Sequence, residues 1–103
     1  MAAQLIAMYK KPADAKAFDA YYHATHVPLA KTVPGLRSYD ISSGPIATPA
    51  GEAPLHLIAI LGFDSLAAIQ AGLGSAEGQA TAADLANFAQ AGVDLLMFDT
   101  KPV

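Results

Sequence analysis

The stretch Leu55–Phe63, LHLIAILGF, constrains this chain more than any other. It is nine residues long, carries no acidic or basic side chain apart from His56, and is apolar on both of its alternating sets. An apolar run this short, bounded by Pro54 and Asp64, reads as a strand and not a helix. A strand that is apolar on both sides needs cover on both sides. The rest of the sequence has to supply that cover.

Three further strands and two helical regions are legible around it. Gln4 to Lys10 (QLIAMYK) alternates Leu5, Ala7 and Tyr9 with Gln4, Ile6 and Met8, and both sets are largely apolar. Lys11-Pro12 ends this strand. Pro12 suits a first helical turn, where its missing N–H costs nothing, and Asp14 favours the positive helix end. Phe18, Tyr21, Tyr22, Thr25 and Leu29 then recur at steps of three and four, the pattern of an amphipathic helix. Val27-Pro28 is expected to interrupt that helix, because the residue before proline is pushed out of the α region. Pro28 then opens a short helical turn through Lys31, and Pro34-Gly35 signals a turn.

Leu36 to Ile46 reads as a second strand, with Arg37, Tyr39 and Ile41 on one side. Gly44 to Pro54 has no period and reads as a surface connection or hairpin end. Asp64-Ser65 supplies helix caps, Leu66 to Leu73 is a short helix stopped by Gly74, and Ser75 caps a helix that buries Leu85, Phe88 and Ala89 and ends at Gly92. Val93 to Thr100 (VDLLMFDT) is the last strand. The order β-α-β-β-α-β is the ferredoxin-like arrangement, an α+β fold with helices on one face of a four-stranded antiparallel sheet. The 103 residues fit a single domain, 1–103. The other sheet face carries Ile, Met, Leu and Phe where an exposed face would alternate. A hydrophobic content of 53% is more than one small core absorbs. A second copy laid against the bare face, as a symmetric homodimer with a barrel-like centre, is the simplest remedy.

Several function classes are disfavoured. There is no run of about 18 uncharged apolar residues, so no membrane span is expected. The basic pair Lys10-Lys11 follows the first apolar stretch, the wrong order for a secretory signal. Cysteine is absent, which excludes disulfides and thiol chemistry and suits a cytoplasmic setting. A net charge of −3 with six scattered basic residues gives no stripe for nucleic acid. Gly72-Leu73-Gly74 joins helix to helix and is no phosphate loop, and no serine sits in a Gly-x-Ser-x-Gly elbow. His23 and His26 are too few ligands for a metal and lack a companion carboxylate motif, so neither metal nor organic cofactor is expected.

The chemistry concentrates in Tyr21 to Tyr39, YYHATHVPLAKTVPGLRSY. His26, at the helix break, reads either as an acid, base or hydrogen-bond donor at a pocket mouth or as a helix C-cap. Tyr22 lies one turn back on the same side, since residues four apart share a face. His23 reads as a solvent-facing helix residue, with a pocket role as the alternative. Tyr9, Tyr22 and Tyr39 either line an apolar cavity with a polar rim or are core aromatics. His56, alternating with Ile58 and Ile60, is either a pocket group or a satisfied core histidine. Arg37 either clamps a carboxylate or pairs with Asp40 or Asp99.

These residues carry a resemblance. Tyr9-Lys10-Lys11-Pro12, the helix with Phe18 and Tyr21-Tyr22, His26-Val27-Pro28-Leu29-Ala30, Pro34-Gly35-Leu36-Arg37-Ser38-Tyr39 and Phe63-Asp64-Ser65 together resemble the EthD family, named from an ethyl tert-butyl ether degradation cluster, within the dimeric α+β barrel superfamily. The resemblance spans essentially the whole chain. One departure is that positions often tryptophan in relatives are Tyr22 and Gly62 here. The resemblance implies the fold and the dimer. Since superfamily relatives include cofactor-free monooxygenases, isomerases, decarboxylases and cyclases, it also implies a small apolar organic ligand. Oxidoreductase chemistry of the monooxygenase type, with His26, or His56 if it faces inward, as base and Tyr22 or Tyr39 orienting substrate, is the leading expectation. The alternative is a non-catalytic binding or accessory protein supporting a partner oxygenase.

Overall fold

A computed structural model describes residues 2–103. Strand β1 spans Ala2–Lys10, and helix α1 covers Ala15–Tyr21. A π-helical turn, Tyr22–His26, joins α1 to the short helix α2, Val27–Ala30. Strand β2, Ser38–Ile41, is followed by a small hairpin of β3, Ala47–Thr48, and β4, Gly51–Glu52. Strand β5, Leu55–Phe63, leads into α3, Leu66–Gly74, and α4, Ala76–Phe88, and β6 closes at Val93–Thr100. The main sheet has order β2-β5-β1-β6 and every neighbouring pair is antiparallel. This is the ferredoxin-like arrangement that the element order implied.

Local chemistry explains the boundaries. Asp14, Ser65 and Ser75 each accept a hydrogen bond from a backbone N–H three residues on, the usual device for satisfying a helix start. Asp14 is therefore a cap, and Pro12 lies before the helix and not in its first turn. Gly78 lets α4 approach the end of α3 closely, because a Cβ there would collide with the Gly72 carbonyl and Leu73. Gly62 is likewise close-packed across the sheet, where a Cβ would strike the Ser38 hydroxyl. The second strand is shorter than Leu36–Ile46: pairing with β5 covers only Ser38 to Ile41.

The helix does not break at Val27-Pro28. Val27 and the residues on both sides of it keep helical dihedrals. The Val27 N–H bonds the Tyr22 carbonyl, one residue further back than in an α-helix. That wider turn accommodates the missing N–H and the ring of Pro28 while the chain stays helical. It also rotates His26 onto the buried side.

The core lies between sheet and helices. Leu5, Ala7, Tyr9, Leu57, Ala59 and Leu61 face Phe18, Tyr22, Ile69 and Phe88. The opposite face presents Ile6 beside Ile60 and Leu96, and Met8 beside Ile58. At the edge strand β6, Leu95, Leu96, Met97 and Phe98 are all 40–52% exposed, so apolar side chains stand bare on both faces there.

Candidate functional site

The π-turn and α4 bring a histidine and an aspartate together inside the protein. His26 is 4% exposed and Asp84 6%. His26 Nδ1 and Asp84 Oδ2 are 2.9 Å apart. Asp84 Oδ1 accepts from the Tyr21 hydroxyl at 2.6 Å and from Asn87 Nδ2 at 3.0 Å. Burial by itself raises the Asp84 carboxyl, but the bonds from Tyr21, Asn87 and His26 outweigh it and hold the group below the usual carboxylate range. An ionised carboxylate only accepts, so the proton between the pair belongs to His26 Nδ1. Desolvation pushes the imidazole below its ordinary value, against the opposing pull of Asp84. At neutral pH the ring is therefore uncharged, with Nε2 carrying a free lone pair.

That lone pair has somewhere to act. Among the described residues Nε2 has no hydrogen-bond partner, and no fully buried side-chain nitrogen or oxygen is left unsatisfied, so Nε2 keeps some accessible surface. His26 lines a cavity of about 120 Å³ whose other walls include Leu5, Ala7, Tyr9, Tyr39, Leu85 and Met97. The ring is packed between Tyr22 and Phe88, with centroids 5.5 and 4.7 Å away. Such packing fixes its orientation.

A second polar pair sits beside the cavity. The hydroxyls of Tyr22 and Tyr39 are 2.6 Å apart. Tyr22 is fully buried, whereas Tyr39 reaches the cavity. Burial drives the hydroxyls of Tyr9, Tyr22 and Tyr39 upward, so all three are protonated donors through neutral pH.

The remaining candidates are elsewhere. Arg37 forms a two-pronged pair with Asp64, at 3.2 and 2.8 Å, on the surface and away from the cavity. Its expected pocket role is not what the structure shows, and its partner is neither Asp40 nor Asp99. Asp64 follows β5 directly and lies beside the start of β2, which brings the two within reach. His56 does not share a face with Ile58 and Ile60. Lys10 pairs with Leu55 and Tyr9 with Leu57, so His56 is the extra residue of a β-bulge, and the bulge turns its ring toward α1. There it packs on Phe18 at 4.9 Å and bonds Asp19 at 2.7 Å. His23 is exposed and shares with His56 an open groove that also holds Lys11 and Glu52. Tyr9, Tyr22, His26 and Tyr39 are thus brought together, and His23, His56 and Arg37 are not part of that group. No set of three or more metal-ligating side chains is arranged for an ion among the described residues, and no helix is long and apolar enough to cross a membrane.

Asp84, Tyr21 and Asn87 are the members that the sequence did not announce. Asp84 sits on an alanine-rich helix where a carboxylate ordinarily faces water. The signal was its spacing: it lies four residues before Phe88 and next to Leu85, on the stripe that the helix buries.

A family model described as the EthD domain matches residues 10–92. The chain belongs to the EthD family. An uncharacterised 11.0 kDa protein of Rhodococcus erythropolis, from a thcB-thcC intergenic region, is 38% identical over 93% of this chain and 92% of its own. The crystal structure of an EthD family protein from Bacillus halodurans superposes with a TM-score of 0.88 at 32% identity, covering 98% of this chain and all of that one. SnoaB, a cofactor-independent oxygenase from Streptomyces nogalater, shares the fold with a TM-score of 0.69 at 10% identity, over 99% of this chain and 95% of its own. The EthD match contains Tyr22, His26, Tyr39 and Asp84.

Proposed function

We propose that this EthD protein uses His26 as a general base on a small, mostly apolar organic molecule held in the cavity, with Asp84 fixing the ring. The observation that carries the reading is the buried 2.9 Å contact between His26 Nδ1 and Asp84 at the cavity wall. A neutral imidazole with one nitrogen anchored to a carboxylate presents the other as a proton acceptor. Apolar walls exclude water and strengthen interactions with any charge that develops. The step is a proton transfer from substrate to Nε2, leaving the electron pair on the substrate. Tyr39 and, behind it, Tyr22 orient that molecule.

Monooxygenase-type chemistry follows where the resulting anion is electron-rich enough to react with dioxygen. A methylene is then converted to a carbonyl, one oxygen atom entering the product and the other leaving as water. The fold shared with a cofactor-independent oxygenase supports this outcome by analogy alone. A homodimer through the sheet face completes the proposal: the patch of half-buried Ile6, Ile58 and Ile60 with exposed Leu96 is covered by the same patch of a second copy.

Solvent deuterium exchange tests the base directly. Small ketones incubated with the protein in D₂O should lose their exchangeable C–H signals faster than in buffer. His26→Gln should cut that rate by roughly 10²- to 10⁴-fold. Equal rates with the wild-type protein and His26→Gln would leave a ligand-binding protein without this chemistry.

A further inference from the structure

The orientation of the two tyrosine hydroxyls adds a specific role and a substrate class, and it rests on the reading of His26 as base. Tyr22 has no accessible surface, and among the described residues its hydroxyl meets only that of Tyr39. If Tyr39 donated in this pair, the Tyr22 proton would be buried without an acceptor. If Tyr22 donates, every buried group is satisfied and the Tyr39 proton is left free for another acceptor, and Tyr39 is one of the residues that line the cavity. A hydroxyl that already accepts a hydrogen bond is a stronger donor, because bonds in a chain polarise one another. The cavity therefore offers an acceptor, His26 Nε2, and a reinforced donor, Tyr39, in otherwise apolar surroundings.

We propose that Tyr39 donates to an oxyanion formed when His26 removes a proton, with Tyr22 as the positioning residue behind it, and that the substrate is a single-ring oxygen acid such as a phenol or an enolisable cyclic ketone. For a phenol the balance is simple. The O–H bond breaks, the proton goes to Nε2, the electron pair stays on oxygen, and that oxygen accepts from Tyr39. For a ketone the broken bond is an α C–H, and the charge again settles on oxygen. The His26 imidazolium so formed is stabilised by Asp84 at 2.9 Å. Size sets the rest of the class. A cavity of about 120 Å³ is on the scale of those that hold one benzene-sized ring, so a single ring is the size class proposed.

The probe is 4-nitrophenol, whose phenolate form is coloured. The wild-type protein should bind it and develop phenolate absorbance at a pH below its free pKa. Tyr39→Phe, which keeps the ring and loses only the hydroxyl, should weaken binding roughly 10- to 100-fold, the range for a hydrogen bond to a charged group. Tyr22→Phe should give a smaller loss together with a shifted absorption maximum for the bound phenolate, which a purely structural role would not produce. Circular dichroism confirms that each variant is folded. Undiminished binding to Tyr39→Phe would overturn the donor assignment, and equal binding of a nitronaphthol would overturn the size class. Failure of the base reading looks different: the bound probe stays uncoloured in wild type and in His26→Gln alike, while its affinity still depends on Tyr39.

Discussion

His26 and Asp84, 58 residues apart in sequence, meet through a single 2.9 Å hydrogen bond inside the protein. A widened helical turn and a carboxylate on an inward helix stripe both had to be in place for this to occur. Asp84→Asn keeps the shape and removes the charge. An amide cannot accept from all three donors: with its oxygen toward Tyr21 and Asn87, its NH₂ meets the His26 Nδ1–H and the imidazole loses its anchor. A stability loss of roughly 1–3 kcal/mol is expected, the cost of an ill-matched buried group. Proton abstraction should fall as well, by an amount short of the loss in His26→Gln. Thermal unfolding and deuterium exchange on one preparation check both.

Acid should weaken the protein in two stages. The His26 imidazole sits below its unfolded value, so the unfolded chain binds more protons and stability rises with pH. Its contribution is complete above about pH 6.5, the ordinary histidine value, and is lost progressively below it. Asp84, also depressed, contributes fully above about pH 3.9 and loses its contribution as pH falls through its folded value. Activity should follow the neutral imidazole, with an acidic limb centred below pH 6.5 and a plateau through neutrality. Urea midpoints across pH 3–8, with His26→Gln lacking the upper stage, are the test.

The bare sheet face leads to a third expectation. Ile58 stands next to Met8 on that face. Ile58→Asp should give monomer or aggregate where the wild-type protein sediments as a dimer burying well over about 1,000 Å². A charge in a dry interface costs several kcal/mol by the usual order of magnitude. A wild-type monomer at micromolar concentration would contradict the dimer.

Arg37 and His56 provide the contrast. Arg37 is spent on an exposed pair with Asp64, and surface pairs contribute little. Arg37→Ala should therefore leave binding of 4-nitrophenol unchanged and the melting temperature nearly so. His56→Ala should likewise spare binding, since its ring serves Phe18 and Asp19 at the far groove. A large loss of binding in either variant would move the site.

Periodicity reveals the elements of this fold, but not their irregular junctions. The apolar run Leu55–Phe63 and the two-sided pattern of Gln4–Lys10 name the central strands, because burial on both faces leaves no other reading. Val27-Pro28 looked like a break since proline rules are written for α-helical hydrogen bonding, and a π-turn satisfies them differently. His56 followed strict alternation until a bulge re-aimed it. Both irregularities are one-residue insertions, invisible to any fixed period. Tyr22, His26 and Tyr39 stood out by residue type. Asp84 did not, because a carboxylate on an alanine-rich helix ordinarily faces water, and only its four-residue spacing from Phe88 hinted at burial.

The most direct measurement of the central claim is a long-range ¹H–¹⁵N spectrum of the histidine side chains at neutral pH. His26 should appear as an uncharged ring with its proton on Nδ1 and a lone pair on Nε2, and it should stay uncharged on acidification to below the ordinary histidine value of about 6.5. A charged His26 ring at neutral pH, or a proton on Nε2, would contradict the assignment of this residue as the base.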